Sequence, residues 1–202
     1  VSSSPDGSSW AADGIFLRTA ANALIMEQRD LGTTTNTVLL RSDSGSDGGA
    51  WSTVLTLAGG ARFLGPQSVC QDANTGYLYA VEYMTGERLT VANIHRSTDD
   101  GVTWTAWKAM PRSETDVAGK IRHWHSCRYD SVSQRVYFMA GDTSADAGIY
   151  RVNSGGTDIE PVLLNSQVTG QPKPCARAVD IMFFPTHIAW PMDGEDPHVR
   201  RM

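Results

Sequence analysis

Lysine is nearly absent from this chain, supplying three of its 17 basic residues, and no basic block offsets the 22 acidic ones that leave a formal charge of −5. A surface without clustered positive charge has little to offer a phosphate backbone or an anionic lipid face, so nucleic-acid binding is not expected. Apolar residues never run to membrane-spanning length, and no membrane insertion is expected either. Cysteine is scarce as well. Cys70, Cys127 and Cys175 are an odd set without metal-ligand spacing, so each reads as a small buried hydrophobe rather than a disulfide partner. Sustained helical periodicity is also missing. Residues 19–30, TAANALIMEQRD, are the one helix candidate, and their ALIME stretch is read instead as a strand.

Turns and short strands take the place of helices. STDDGVTW, residues 97–104, lies between LTVANIHR and TAWKAM, both rich in β-branched, aromatic and apolar residues. The octet therefore reads as a hairpin turn: Ser97 or Asp99 accepts backbone amides, Gly101 takes a positive φ, and Trp104 opens the next strand. SSPDGSSW, residues 3–10, repeats it with Ser3, Asp6, Gly7 and Trp10. RSDSGSDGGAW, residues 41–51, repeats it again with Asp47, Gly48 and Trp51, and a worn copy ends at Ile159. These ends are spaced by roughly 40 to 55 residues, a period that points to propellers and other arrays.

A second repeat runs between the turns. QSVCQDANTGYLYAVE, residues 67–82, matches HSCRYDSVSQRVYFMA, residues 125–140, each reading as a strand, a turn begun by Asp72 or Asp130, and another strand. A looser copy is AVDIMFFPTHIAWPMD, residues 178–193. Four strands per unit follow. The spacing predicts them at 66–71, 77–83, 89–96 and 103–109 in one unit, and at 122–129, 135–141, 147–152 and 159–164 in the next. An earlier unit is predicted at 14–20, 23–29, 36–41 and 51–57.

The octets resemble the Asp-box motifs of bacterial-neuraminidase (BNR) repeats, found in sialidase-like β-propellers and in relatives without sialidase activity. Residues 97–104 fit the pattern Ser-x-Asp-x-Gly-x-Thr-Trp throughout, through Ser97, Asp99, Gly101, Thr103 and Trp104, whereas the copies at 3–10 and 44–51 depart at the central Asp. The resemblance implies an all-β fold: a β-propeller of four-stranded antiparallel blades, with the boxes in third-to-fourth strand turns, away from the ligand rim. At about 50 residues per blade, residues 1–202 are expected to supply about four blades of one domain, cut within a blade at both ends and so an incomplete segment of a larger ring. The remaining blades would come from the parent chain or another chain.

Candidate chemistry centres on IRHWHSCRYD, residues 121–130, and the following AGDTSAD. On a strand, His123 and His125 share one face and Arg122, Trp124 and Ser126 the other. His125 would meet Asp142 if the hairpin register holds. That pair could move protons or bind a sugar by hydrogen bonds, with Trp124 or Trp190 as an apolar platform. The competing reading is a set of cross-blade hydrogen bonds and a capped turn. Zinc binding by the two histidines lacks a third ligand of diagnostic spacing, so no metal and no other cofactor is expected.

The family's sialidases clamp a carboxylate with three arginines, the first in an Arg-Ile-Pro tripeptide that does not occur here. Arg18, Arg128 and Arg177 are the arginine candidates, Tyr83 beside Glu82 matches the nucleophile pair by composition alone, and Asp142, Asp180, Glu82 and Asp193 are the carboxylates. The resemblance thus implies a scaffold for carbohydrate or protein recognition, extracellular or associated with a virion. A glycoside hydrolase whose remaining active-site residues lie outside the segment is the alternative.

Overall fold

The computed structural model describes residues 2–3, 9–30, 37–43, 50–84, 89–115, 117–142, 146–167, 176–193 and 199–201. Among them the chain forms four discrete antiparallel sheets. The first holds β1 (Ser2–Ser3), β2 (Ser9–Arg18), β3 (Leu24–Asp30), β4 (Thr37–Ser42) and β5 (Ser52–Thr56). The second holds β6 (Val69–Gln71), β7 (Leu78–Val81), β8 (Val91–Ser97) and β9 (Thr105–Pro111). The third holds β10 (His123–Asp130), β11 (Arg135–Gly141), β12 (Gly148–Val152) and β13 (Ile159–Leu164), and the fourth β14 (Met182–Phe184), β15 (His187–Pro191) and β16 (Val199–Arg201). Within each sheet, strands pair in chain order. First strands lie against one another, β10 beside β6 and β6 beside β2. This is a propeller-blade-like arrangement of meandering sheets.

Alternation of side chains explains the stacking. Along β7, Leu78 and Ala80 face the first sheet, joining Ile25, Leu39 and Phe63, while Tyr79 and Val81 face the third, joining Trp124, Phe138 and Tyr150. Along β11, Val136, Phe138 and Ala140 look back to the second sheet, and Tyr137 and Met139 look forward to Ile181 and Trp190. A strand covered on both faces needs apolar residues at nearly every position. LYAV and RVYFMA are therefore continuous runs. The fourth strands lie at the periphery, where every residue of β9 and β13 retains some exposure.

Residues 24–30 are a strand paired from Leu24↔Ser42 to Arg29↔Thr37, as the register reading required. The pairing places Ile25 in the core beside Leu39 and lets buried Glu27 accept two bonds from the Arg29 guanidinium, at 3.0 and 2.9 Å. Cys70 and Cys127 are free and buried, and Cys175 lies outside the described residues.

The octet at 97–104 spans the turn between β8 and β9. Asp99 accepts bonds from Ser97 Oγ at 2.8 Å, Thr103 N at 2.9 Å and Thr103 Oγ1 at 2.6 Å, and Ser97 Oγ takes the Gly101 amide at 2.8 Å. Burial works against the ionised Asp99, but the Thr103 and Ser97 bonds outweigh it and hold the carboxyl below the usual carboxylate value. Gly101 has φ 84°, and a Cβ there would meet Ile25 Cδ1 at 2.9 Å, so both the turn and the neighbouring sheet require glycine. Trp104 donates Nε1–H to the Gly101 carbonyl at 3.1 Å and is only half-buried.

Trp51 stands in the equivalent place, immediately before β5, whereas Asp47 and Gly48 lie outside the described residues. Trp10 does not share that position. It sits near the start of β2, a first main strand, in register with Asp30 on one side and Ser2 on the other. The octet from Ser3 to Trp10 thus connects β1 to β2, because β1 adds a fifth strand beside the blade; Asp6 and Gly7 are outside the described residues. The worn copy before Ile159 does occupy a third-to-fourth strand turn. There Asn153 Oδ1 accepts the Thr157 and Asp158 amides at 3.0 and 3.2 Å, the task Asp99 performs in its own box.

Candidate functional site

Two chain directions define two rims. Asp72 and Asp130 open the first hairpin turns of their sheets, accepting Asn74 N at 2.9 Å and Val132 N at 2.9 Å. The turn of the Ser97–Trp104 octet shares that rim, since Ser97 at the end of β8 pairs with Leu78 just after the Asp72 turn. His123, at the start of β10, is on the opposite rim. An eight-residue strand separates the two by roughly 25 Å.

On that opposite rim, Asp142 follows Gly141, which pairs with His123 across the first hairpin of the third sheet, so the register needed to bring His125 and Asp142 together is present. A bulge between Trp124 and Ser126 sets His125 apart in the ladder. A Cβ on Gly141 would come within 2.2 Å of His125 Cε1, so the ring packs flat over a residue that must lack a side chain.

Both imidazoles are fully desolvated, with the whole residues 0 % and 1 % exposed. His123 Nδ1 lies 2.7 Å from the Met84 carbonyl and His125 Nδ1 lies 2.8 Å from the Ala178 carbonyl. A carbonyl only accepts, so each Nδ1 carries a proton, and in the neutral ring the bare nitrogen is Nε2, which turns inward. The two Nε2 atoms are 3.0 Å apart. Asp142 completes the group, with Oδ2 3.3 Å from His123 Nε2 and Oδ1 3.1 Å from His125 Nε2. Burial lowers the pKa of His123, beyond what Asp142 restores. Burial would raise that of Asp142, but the His123 and His125 side chains beside it outweigh burial and hold the carboxyl well below the usual carboxylate range.

Charged groups from three segments surround this core. Arg122 reaches Asp142 Oδ2 at 2.8 Å and Glu114 Oε2 at 2.6 Å, and Arg112 also pairs with Glu114. From the fourth-sheet segment, Arg177 Nη2 lies 3.4 Å from Asp142 Oδ1 and 3.3 Å from Asp193 Oδ2. From just beyond β7 of the second sheet, Tyr83 lays its ring 4.1 Å from that of His123, centroid to centroid, and the Arg62 guanidinium lies 5.0 Å from the Tyr83 ring centroid.

Several sequence candidates lie elsewhere. Trp124 is wholly buried between the second and third sheets, donating Nε1–H to Ala92 O at 3.2 Å, and Trp190 is buried between the third and fourth. Neither presents a platform, because bulky rings on strands covered on both faces go to fill the gaps between sheets. Arg18 ends β2 on the rim of the Asp72 and Ser97–Trp104 turns, bonded to Asn22 at 2.8 Å, a strand length away from His123. Arg128 makes a two-bond pair with Asp180, both at 2.8 Å. Glu82 does not partner Tyr83: it binds His95 Nε2 at 2.8 Å and both the amide and side chain of Asn93 at 3.0 Å. Of the three candidate arginines, Arg177 alone reaches the His–Asp group.

The sequence reading missed Arg122 and Glu114 as members of this rim. The alternating pattern put Arg122 on the far face from the histidines, but it precedes β10, where the alternation does not yet apply. Asp142 is also the third donor that sequence spacing did not reveal for a metal. Among the described residues, one ligand atom each from His123, His125 and Asp142 lie within 4.8 Å of one another.

No protein-family model matches the chain, and no curated protein matches it. Among solved structures it is similar to the crystal structure of a protein of unknown function from Dyadobacter fermentans DSM 18053, with 18% identity and a TM-score of 0.50. The likeness covers 91% of this chain but 50% of the other, so the chain spans about half the length of that structure. At that identity the shared property is the fold: an all-β chain of propeller-like antiparallel sheets.

Proposed function

We propose that the chain is a recognition scaffold that binds a carbohydrate on the rim opposite the Asp-box, around Tyr83, Arg177 and Asp193. The observation that carries this reading is the convergence of polar groups from three successive sheets: Tyr83 from the second, His123, His125 and Asp142 from the third, Arg177 and Asp193 from the fourth. Tyr83 is half-buried, offering an aromatic face, and Arg177 and Asp193 are partly exposed donors and acceptors. A sugar ring needs that combination of an apolar face and edge hydrogen bonds. Such a role suits an extracellular or virion-exposed surface. In the same reading, further blades of the parent polypeptide or another chain cover the exposed Met182 and Phe184 on the last sheet.

Glycan-array binding by the full chain, compared with Tyr83→Ala and Arg177→Ala, tests the site. Binding lost in both variants is expected, and unchanged binding in both would remove this rim from the function. Release of a fluorogenic sialoside is not expected, since Arg18, Arg128 and Arg177 do not converge. Turnover abolished by Arg177→Ala would favour the hydrolase instead.

A further inference from the structure

The geometry points to a divalent transition-metal site formed by His123 Nε2, His125 Nε2 and the Asp142 carboxylate. It stands independently of the glycan reading, because it rests on the inner groups of the rim and not on Tyr83.

Three observations converge on it. Both rings donate Nδ1–H to backbone carbonyls, of Met84 and Ala178, which fixes the tautomer with its lone pair at Nε2. This is the outer hydrogen bond that metal-bound histidines make. Second, Asp142 Oδ1 is buried and accepts no hydrogen bond even though it lies 3.1 Å from His125 Nε2, as expected where that nitrogen bears no proton. Third, the spacing suits a cation. Two facing lone pairs 3.0 Å apart repel unless a proton or a metal lies between or beside them.

The edge lengths distinguish among coordination geometries. Bonds of about 2.1 Å at right angles place neighbouring ligand atoms about 3.0 Å apart, whereas a tetrahedral arrangement places them about 3.4 Å apart. The nitrogens are 3.0 Å apart, the edge of an octahedral face, and the carboxylate spans both of them, Oδ1 3.1 Å from His125 Nε2 and Oδ2 3.3 Å from His123 Nε2. Two imidazoles and one carboxylate on such a face suit Fe2+, Mn2+, Co2+ or Ni2+, and two nitrogen donors make Ca2+ and Mg2+ poor occupants.

The surrounding charges are compatible. Arg112 and Arg122 share Glu114, and Arg177 pairs with Asp193, so two other carboxylates offset part of the charge of the three guanidiniums around Asp142. Asp193 Oδ2, 3.9 Å from His125 Nε2, is placed to reach a further coordination position through a water.

The test is Co2+ titration of the full chain after chelator treatment, read by visible absorption and by metal analysis after desalting. One Co2+ per chain with the weak bands of six-coordination is expected, and His125→Gln and Asp142→Asn should each weaken binding by more than about tenfold. His187→Gln should leave it unchanged. Far-UV circular dichroism checks that each variant is folded. Should one not fold, Co2+ broadening of the His123 and His125 ring resonances in the unaltered chain, with His187 spared, reads the same site. No stoichiometric Co2+, or equal binding by the folded Asp142→Asn variant, would overturn the site and leave a proton-bridged imidazole pair. Intense four-coordinate bands would overturn the octahedral assignment.

Discussion

The two rims use carboxylates in opposite ways. At the Ser97–Trp104 turn, Asp99 is exposed and every strong partner comes from its own octet, Ser97 and Thr103. At the other rim, Asp142 is buried and its neighbours come from two distant segments, residues 122–125 and Arg177, with one oxygen lacking a hydrogen bond. A carboxylate satisfied by adjacent amides ends a strand and shapes a turn. One buried among distant imidazoles and guanidiniums carries an electrostatic cost that turn formation does not require. The comparison separates scaffold from candidate site more cleanly than residue type does, since both rims are built on Asp.

The largest expected effect is in the core that holds the His–Asp rim in place. Trp124→Ala should lower stability by about 3 to 5 kcal/mol in chemical denaturation, because the ring is wholly buried between two sheets. Trp104 is half-buried, so Trp104→Ala should cost less, about 1 to 2 kcal/mol. Equal losses would show that the two indoles are not as differently placed as described.

Next comes Gly141→Ala. The added carbon meets the His125 ring at 2.2 Å, so the expected cost is about 1 to 3 kcal/mol, together with weakened Co2+ binding as the ring is displaced. Gly76→Ala supplies the contrast at the Asp-box rim. Nothing lies within 4 Å of its added carbon, and its φ of 75° alone should cost about 1 kcal/mol without affecting Co2+. Undiminished Co2+ binding by Gly141→Ala would break the comparison.

The smallest effect is a pH dependence. Asp99 has its folded-state pKa depressed, so the stability it contributes is present above its unfolded value and lost as pH falls through the folded one. Asp99→Asn should therefore flatten the acid limb of a stability–pH curve slightly, the effect being reduced by solvent screening at this exposed turn. An unchanged acid limb would mean that the Thr103 and Ser97 bonds do not select the ionised form.

Much of the scaffold was legible because its determinants are local. The strands at 135–141 and 159–164 fall where alternation and turn residues place them, at Arg135–Gly141 and Ile159–Leu164. Asp72 and Asp130 start their turns through amides two and three residues ahead, within reach of any sequence reading. Trp10 misled because its octet copies the box while the added strand β1 gives it another place. His123, His125 and Asp142 were also legible as a cluster, through alternation on one strand and the register of one hairpin.

What distinguishes Arg177 from Arg18 was not local. Both are arginines in repeat units, but one follows the third sheet on the side of the His–Asp rim and the other ends a strand on the far rim. Likewise Trp124 and Trp190 looked available to a ligand until stacked sheets covered both faces of their strands. By itself, the sequence determined the strands, their turns and the Ser97–Trp104 box, since hydrogen bonds a few residues apart and a two-residue period specify them. Tertiary structure decided which side chains share a rim. That choice depends on strand direction and on how sheets stack, and it brings Met84 and Ala178 carbonyls, distant in the chain, to orient two imidazoles toward one carboxylate.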